Sequence, residues 1–188
     1  MASEIDICNM ALDHVSAPPI IALDGETETS RLCQRNYPLA RDSGLRAYPW
    51  PSVRASAILA PLAEAPPWGF AYAYQVPADC LRVLVVQDDD YRGWRVEGRR
   101  LVTNQGPTLP IRYIRRETDT TQYDALLVDA IALNLAMRLC GRLRESAVTL
   151  RELRGLYAEV LAEARRVAGQ EQTPAPLRRG SGWLASRF

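Results

Sequence analysis

The stretch Tyr123-Asp124-Ala125-Leu126-Leu127-Val128-Asp129-Ala130-Ile131-Ala132-Leu133-Asn134-Leu135-Ala136-Met137-Arg138-Leu139-Cys140 is apolar at nearly every position. After its first turn, only Asp129, Asn134 and Arg138 break the pattern. A helix that is hydrophobic almost all round has no face to give to water. It belongs in the centre of a core or against another subunit. Asp124 falls in its first turn, where a carboxylate suits the helix dipole, and Gly141 is a natural residue just past its end. The run predicts a helix over 123–140, and the rest of the fold must be arranged to cover it.

The flanking sequence supplies the cover. Residues 146–168 carry a seam of Leu153, Leu156, Tyr157, Val160, Leu161, Ala164 and Val167, the pattern of a long amphipathic helix. Near the start, Ser3 is a good N-cap for a helix over 4–13, with Ile5, Cys8 and Leu12 on one face. A longer helix is expected over 28–47. Its stripe is Leu32, Cys33, Tyr37, Ala40, Gly44, Leu45 and Tyr48, with Arg31, Arg35, Arg41, Asp42 and Arg46 largely on the other side. Pro38 lies inside this pattern and should kink it, because it removes one backbone donor. A short helix over 53–63, closed by Pro66-Pro67, is expected next.

The period then changes. Over 72–116 the chain is rich in β-formers, with strands predicted at 80–87, 94–97, 100–103 and 110–115. Asp88-Asp89-Asp90, Gly98 and Gly106-Pro107 mark the turns. After Gly169 the sequence becomes rich in Gln, Pro, Gly and Arg and reads as an extended tail. The fold class implied is α+β: mainly a helical bundle over 1–168, with an inserted small antiparallel sheet or open barrel of four or so short strands. A C-terminal tail over 169–188 follows.

Composition narrows the function. A chain of 188 residues can bury one substantial core. A net charge of +1 gives no reason to expect a surface that coats nucleic acid or an anionic membrane. No unbroken apolar run approaches the roughly 18 residues of a membrane span, and the start does not read as a secretory signal. All 23 basic residues are arginine, which fits a coding bias and equally fits inter-subunit ion pairs, since the planar guanidinium fork pairs well. Cys8, Cys33, Cys80 and Cys140 are spaced unlike a metal site and read as reduced, buried thiols made in a cytoplasm.

Candidate chemistry is thin. His14 has no nucleophile nearby in sequence, and three adjacent acids at Asp88–Asp90 lack the spaced ligands of a calcium loop. Ser181 lacks the strand and helix of a nucleophile elbow. No phosphate-binding Gly-rich loop is present. No catalytic residue, metal or cofactor is expected. Instead the aromatics and prolines stand at joints between segments: Tyr48-Pro49-Trp50, Pro66-Pro67-Trp68-Gly69-Phe70 and Tyr74-Gln75-Val76-Pro77-Ala78-Asp79-Cys80-Leu81-Arg82. That placement fits an architectural part.

The order of these motifs resembles the head-to-tail adaptor proteins of tailed bacteriophages, the tail tubular protein A group. The positions that carry it are Tyr37-Pro38-Leu39-Ala40-Arg41, Leu45, Pro49-Trp50, Trp68-Gly69 and Tyr74 to Arg82. Further on come Val96-Glu97-Gly98-Arg99, Tyr113-Ile114 and Leu133-Asn134-Leu135-Ala136. The resemblance covers roughly residues 3–168. It implies a non-enzymatic virion component at the portal vertex, made in the host cytoplasm and assembled as a ring of twelve copies around a channel for double-stranded DNA. Its partners would be the portal protein, a tail nozzle or tail-tube protein, and copies of itself. Arg31, Arg35, Arg41, Arg46, Arg92, Arg95, Arg112 and Arg115 are the candidate subunit contacts. Arg178, Arg179, Trp183, Leu184, Arg187 and Phe188 form a candidate portal-docking peptide, because large apolar side chains on a tail need somewhere to bind.

Two other classes compete. The mixture of Tyr91, Arg92, Trp94, Arg95, Arg99, Arg100, Arg112, Tyr113, Arg115 and Arg116 could stack bases and hold phosphates, as in a small single-stranded nucleic-acid-binding module. A hydrolytic virion enzyme with dispersed acids ranks lower.

Overall fold

The structure is a computed structural model describing residues 2–86, 93–143 and 147–171. Its elements are α1 (Glu4–Asp13), α2 (Glu28–Ala47), β1 (Arg54–Leu59), β2 (Tyr72–Gln75), β3 (Cys80–Val86), β4 (Trp94–Glu97), β5 (Arg100–Thr103), β6 (Leu109–Arg115), α3 (Ala125–Cys140) and α4 (Ala147–Glu171). The class is α+β, as expected. The β-region differs in detail: it holds two three-stranded antiparallel sheets, ordered β1-β6-β3 and β2-β5-β4.

Local chemistry sets the helix starts. Asp6 N–H donates to Ser3 Oγ (3.1 Å) and Ser3 N–H to Asp6 Oδ2 (2.8 Å), a reciprocal cap that fixes the entry of α1. The hydrogen bonds that the Ser3 backbone N–H and hydroxyl donate to the Asp6 carboxylate hold it below its ordinary range. Ser30 N–H donates to Thr27 Oγ1 (3.1 Å) at the start of α2, and Leu127 N–H donates to Asp124 Oδ1 (2.9 Å) at the start of α3. Pro38 stands on the exposed side of one continuous α2. The last helix runs on to Glu171, past Gly169. Gln170 and Glu171 are good helix formers, so one glycine does not stop it.

The short helix expected over 53–63 is not there. A single 3₁₀ turn at Pro51–Val53 leads directly into β1. Arg54–Leu59 pairs along its whole length with β6, and this tertiary pairing overrides the helical preference of its alanines. Pro61 would in any case have broken the last turn of such a helix.

α3 is the axis of the bundle. Ala130, Ile131, Leu135, Ala136 and Leu139 are fully buried, and α1, α2 and α4 all pack against it. The closest approach is at Gly44 of α2, where an added Cβ would sit 3.0 Å from Ile131 Cγ1. The β-lobe has a separate small core of Leu59, Tyr74, Val76, Val86, Leu101, Leu109, Ile111 and Tyr113.

β6 joins the two cores by strand alternation. Leu109, Ile111 and Tyr113 enter the β-core, while Ile114 enters the helical one. On β3 the pairing with β6 skips Leu81 and Leu84, and these two side chains pack on the helical core. The register shifts thus turn extra residues towards the bundle, as bulges do. Because Ile131 is fully enclosed and cannot yield, Gly44→Val should destabilise the fold by about 1–3 kcal/mol. Denaturant unfolding checks this, and unchanged stability would mean that the α2–α3 contact is looser than described.

Candidate functional site at the joint between bundle and β-lobe

The chain leaves α2 through Tyr48-Pro49-Trp50. Trp50 is buried, and its Nε1–H donates to Gly44 O (2.9 Å). Tyr48 meets it edge-on, with ring centroids 5.0 Å apart at 76°. Pro49 O accepts from Arg54 Nε (2.9 Å). The turn into β1 is therefore clamped by an aromatic pair and two side-chain hydrogen bonds, and it sets the direction in which the β-lobe leaves the bundle.

Three hydrogen bonds cross the joint, from Arg116 to Asp42, from Arg46 to Leu81 and from Arg82 to Arg46, and others brace them on either side. Arg41 is buried and donates through Nε and Nη2 to Asp42 Oδ1 (3.0 and 2.9 Å). The other oxygen of Asp42 accepts from Arg116 Nε at 2.8 Å, beyond the end of β6. Arg46 donates to Leu81 O, and Arg82 Nη1 returns a hydrogen bond to Arg46 O (3.3 Å). Asp79 O accepts from Arg116 N–H (2.7 Å), and its carboxylate accepts from Tyr113 Oη (3.3 Å). Beneath them, burial pushes the Tyr37 hydroxyl well above its ordinary range and the Tyr123 hydroxyl up to about 12. Tyr123 Oη still donates to Glu117 O (2.7 Å).

The arginines singled out from the sequence separate into two groups. Arg41, Arg46 and Arg115 are engaged within the subunit, the last with Glu117. Arg95 lies over the Phe70 ring at 5.9 Å. Arg31 and Arg35 are exposed on α2 and line a shallow cleft with Arg142, which stands just past α3. None of these three pairs with a described acid. Arg112 is exposed on the outer face of the β1-β6-β3 sheet, also without a described partner. Arg92, Asp88–Asp90, Ser181 and the tail residues Arg178, Arg179, Trp183, Leu184, Arg187 and Phe188 lie outside the described residues.

Of the aromatics singled out for stacking, the two that are described, Trp94 and Tyr113, do not stand open to solvent, and Tyr91 lies outside the described residues. Tyr113 is buried, Trp94 packs against the β-core, and Arg115 and Arg116 face acids. His14 is exposed at the end of α1. Among the described residues no three His, Cys, Asp or Glu side chains come together as a metal site. No described helix is long and apolar enough to cross a membrane.

Sequence reasoning missed two surface features. Trp68 is 79% exposed on the loop between β1 and β2, and Ile58 is 75% exposed on β1. The first was visible as a tryptophan between two prolines and a glycine. The second was hidden because β1 was read as a helix.

The cysteines are free. Cys8 and Cys33 touch across α1 and α2; that hydrogen bond and burial push the Cys8 thiol up. Burial also raises Cys80, although it is partly exposed. A thiol-reactive dye should therefore label the native protein slowly at Cys80 alone, and the others only on unfolding. Prompt labelling of Cys8, Cys33 or Cys140 would contradict the packing. Asp42→Asn, which leaves Arg41 and Arg116 without their carboxylate, should lower stability by about 1–2 kcal/mol, allowing for partial solvent screening. A stability within error of wild type would mean that the network does not tie the lobes. No known protein family matches this chain, and no curated protein matches it, so its function rests on the surfaces just described.

Proposed function

We propose that this protein is a structural adaptor of a tailed bacteriophage, joining the portal to the tail as an oligomeric ring through which DNA passes. The observation that carries the reading is a convergence in space. The motifs that resemble the adaptor family are scattered from Tyr37 to Ala136 in sequence, yet several of them meet at one joint. Arg41 and Trp50 stand on its helical side, and Asp79, Leu81, Arg82 and Tyr113 on its β side, while Tyr37 and Leu45 are buried in the adjoining helical core. Such residues hold two lobes at a fixed angle. A fixed angle is what a ring component needs, since a subunit that flexed could not present matched faces to both neighbours.

The exposed arginines suit recognition better than chemistry. Arg31 and Arg35, beside Glu28, and Arg112 on another face make no ion pair with a described acid, so their planar guanidinium groups can pair with carboxylates of other chains. The tail over 172–188 follows directly on α4, and Trp183, Leu184 and Phe188 give it the large side chains that carry most interface energy. It is assigned here to the portal. A single-stranded nucleic-acid-binding module draws less support, because its two described aromatics, Trp94 and Tyr113, pack in or against the β-core.

Co-sedimentation with the purified portal of the same virus tests the reading. The full chain should travel with the portal as a ring, and a chain that never associates with it would overturn the proposal. A chain ending at Glu171 should keep the melting temperature of the full chain and lose portal attachment. Retained attachment would place the portal contact on the folded body.

A further inference from the structure

The loop between β1 and β2 leaves the sheets as a spur. Pro61 bridges Tyr74, and Leu62 N–H donates to Ala73 O (2.8 Å), so residues 63–71 stand beyond the last paired positions. Gly69 turns the chain at φ +81, a conformation that a side chain would disfavour. Just before it, Pro66 and Pro67 restrict the backbone that carries Trp68. Trp68 is 79% exposed, the one tryptophan among the exposed large apolar side chains of the described residues. Glu64 is exposed on the same spur. An indole held outward on a stiffened loop has the form of an interface knob, because its ordering entropy is largely met before binding.

The same molecule carries a matching hollow. On the outer face of the β1-β6-β3 sheet, Ile58, Val85 and Pro110 surround a groove of about 480 Å³, with Ser56 and Arg112 at its side. The pairing register places Ile58 beside Pro110, and Ser56 and Val85 beside Arg112. Ile58 is 75% exposed. Trp68 does not line this groove in its own subunit. The groove offers an apolar floor and one guanidinium without a described acid. The spur offers one indole and one carboxylate.

We infer that Trp68 of one copy seats in the Ile58–Val85–Pro110 groove of the next, with Glu64 facing Arg112. The guanidinium would also lie within reach of the ring face, where a cation is attracted by the indole quadrupole. The occupant is a second copy of this chain, because apolar shape and opposite charge are both met by surfaces the chain already presents. The contact is heterologous, since knob and groove lie on different parts of the molecule. Repeated from copy to copy, it closes a ring or extends a filament. It deepens the ring reading above by naming two faces that mate. A single seated indole buries only about 150–250 Å², so the free pair is weak and closure of the ring must reinforce it.

Complementing variants test this contact. Trp68→Ala removes the knob and keeps the groove, and Ile58→Glu spoils the groove and keeps the knob. In sedimentation velocity at near-millimolar concentration, the wild type should associate beyond dimer. Each variant alone should weaken association by roughly tenfold or more, the effect of losing a hot spot. Their equimolar mixture should give a dimer that grows no further, because one good knob meets one good groove. Arg112→Glu should weaken association, and adding Glu64→Arg should restore it. A monomeric wild type, or a mixture no more associated than its components, overturns the inference. Portal-templated rings that survive in both variants would also overturn it, while leaving the adaptor reading intact.

Discussion

The structure depends on one constraint, the need to cover α3 on every side. Its side chains are apolar around most of the turn, broken only by Asp129, Asn134 and Arg138, and burying each Leu or Ile contributes about 1.5–3 kcal/mol. No two-layer arrangement could satisfy it. α1, α2 and α4 take three flanks, and the close approach at Gly44 lets α2 lie directly on Ile131. The end of the β-sheet joins the same core through Ile114, Leu81 and Leu84, with β3 packing against α2. The β-lobe is therefore not an appendage on a flexible stalk. Part of its own sheet belongs to the core of the bundle.

From that follows the rigidity of the joint. β6 divides its side chains between two cores, so rotating the lobe would pull Ile114 from one and Tyr113 from the other. The Arg41–Asp42–Arg116 ties then fix the remaining freedom. The surfaces left over have a different character. Trp68, Ile58 and the free arginines are held out to solvent by elements that are themselves well anchored. Anchored elements with exposed aromatic and guanidinium groups are suited to recognising other proteins.

Much of this was legible in the sequence, for identifiable reasons. The spans of α1 and α2 follow from side-chain caps and apolar stripes, which are local signals. β4 and β5 follow from a tight turn at Gly98. β1 defies the helix reading because its alanines favour helix and its strand character comes only from pairing with the distant β6, from Arg54 with Ile114 to Leu59 with Leu109. The candidate arginines show the same limit. Arg46 meets a carbonyl 35 residues on, and Arg116 meets a carboxylate 74 residues back. Nothing local separates these from Arg31 or Arg35, which face solvent. The groove was invisible for a related reason, since it exists only once β1, β3 and β6 lie side by side.

The proposed adaptor role would need little chemistry and much geometry, and this molecule puts its most distinctive residues into geometry. Its central claim concerns where the protein sits. Electron cryo-microscopy of the intact virus particle, without imposed icosahedral symmetry, tests that most directly. The account predicts density for this helical bundle and β-lobe as a closed ring between portal and tail. A vertex fully explained by other chains, with this fold absent, would contradict it.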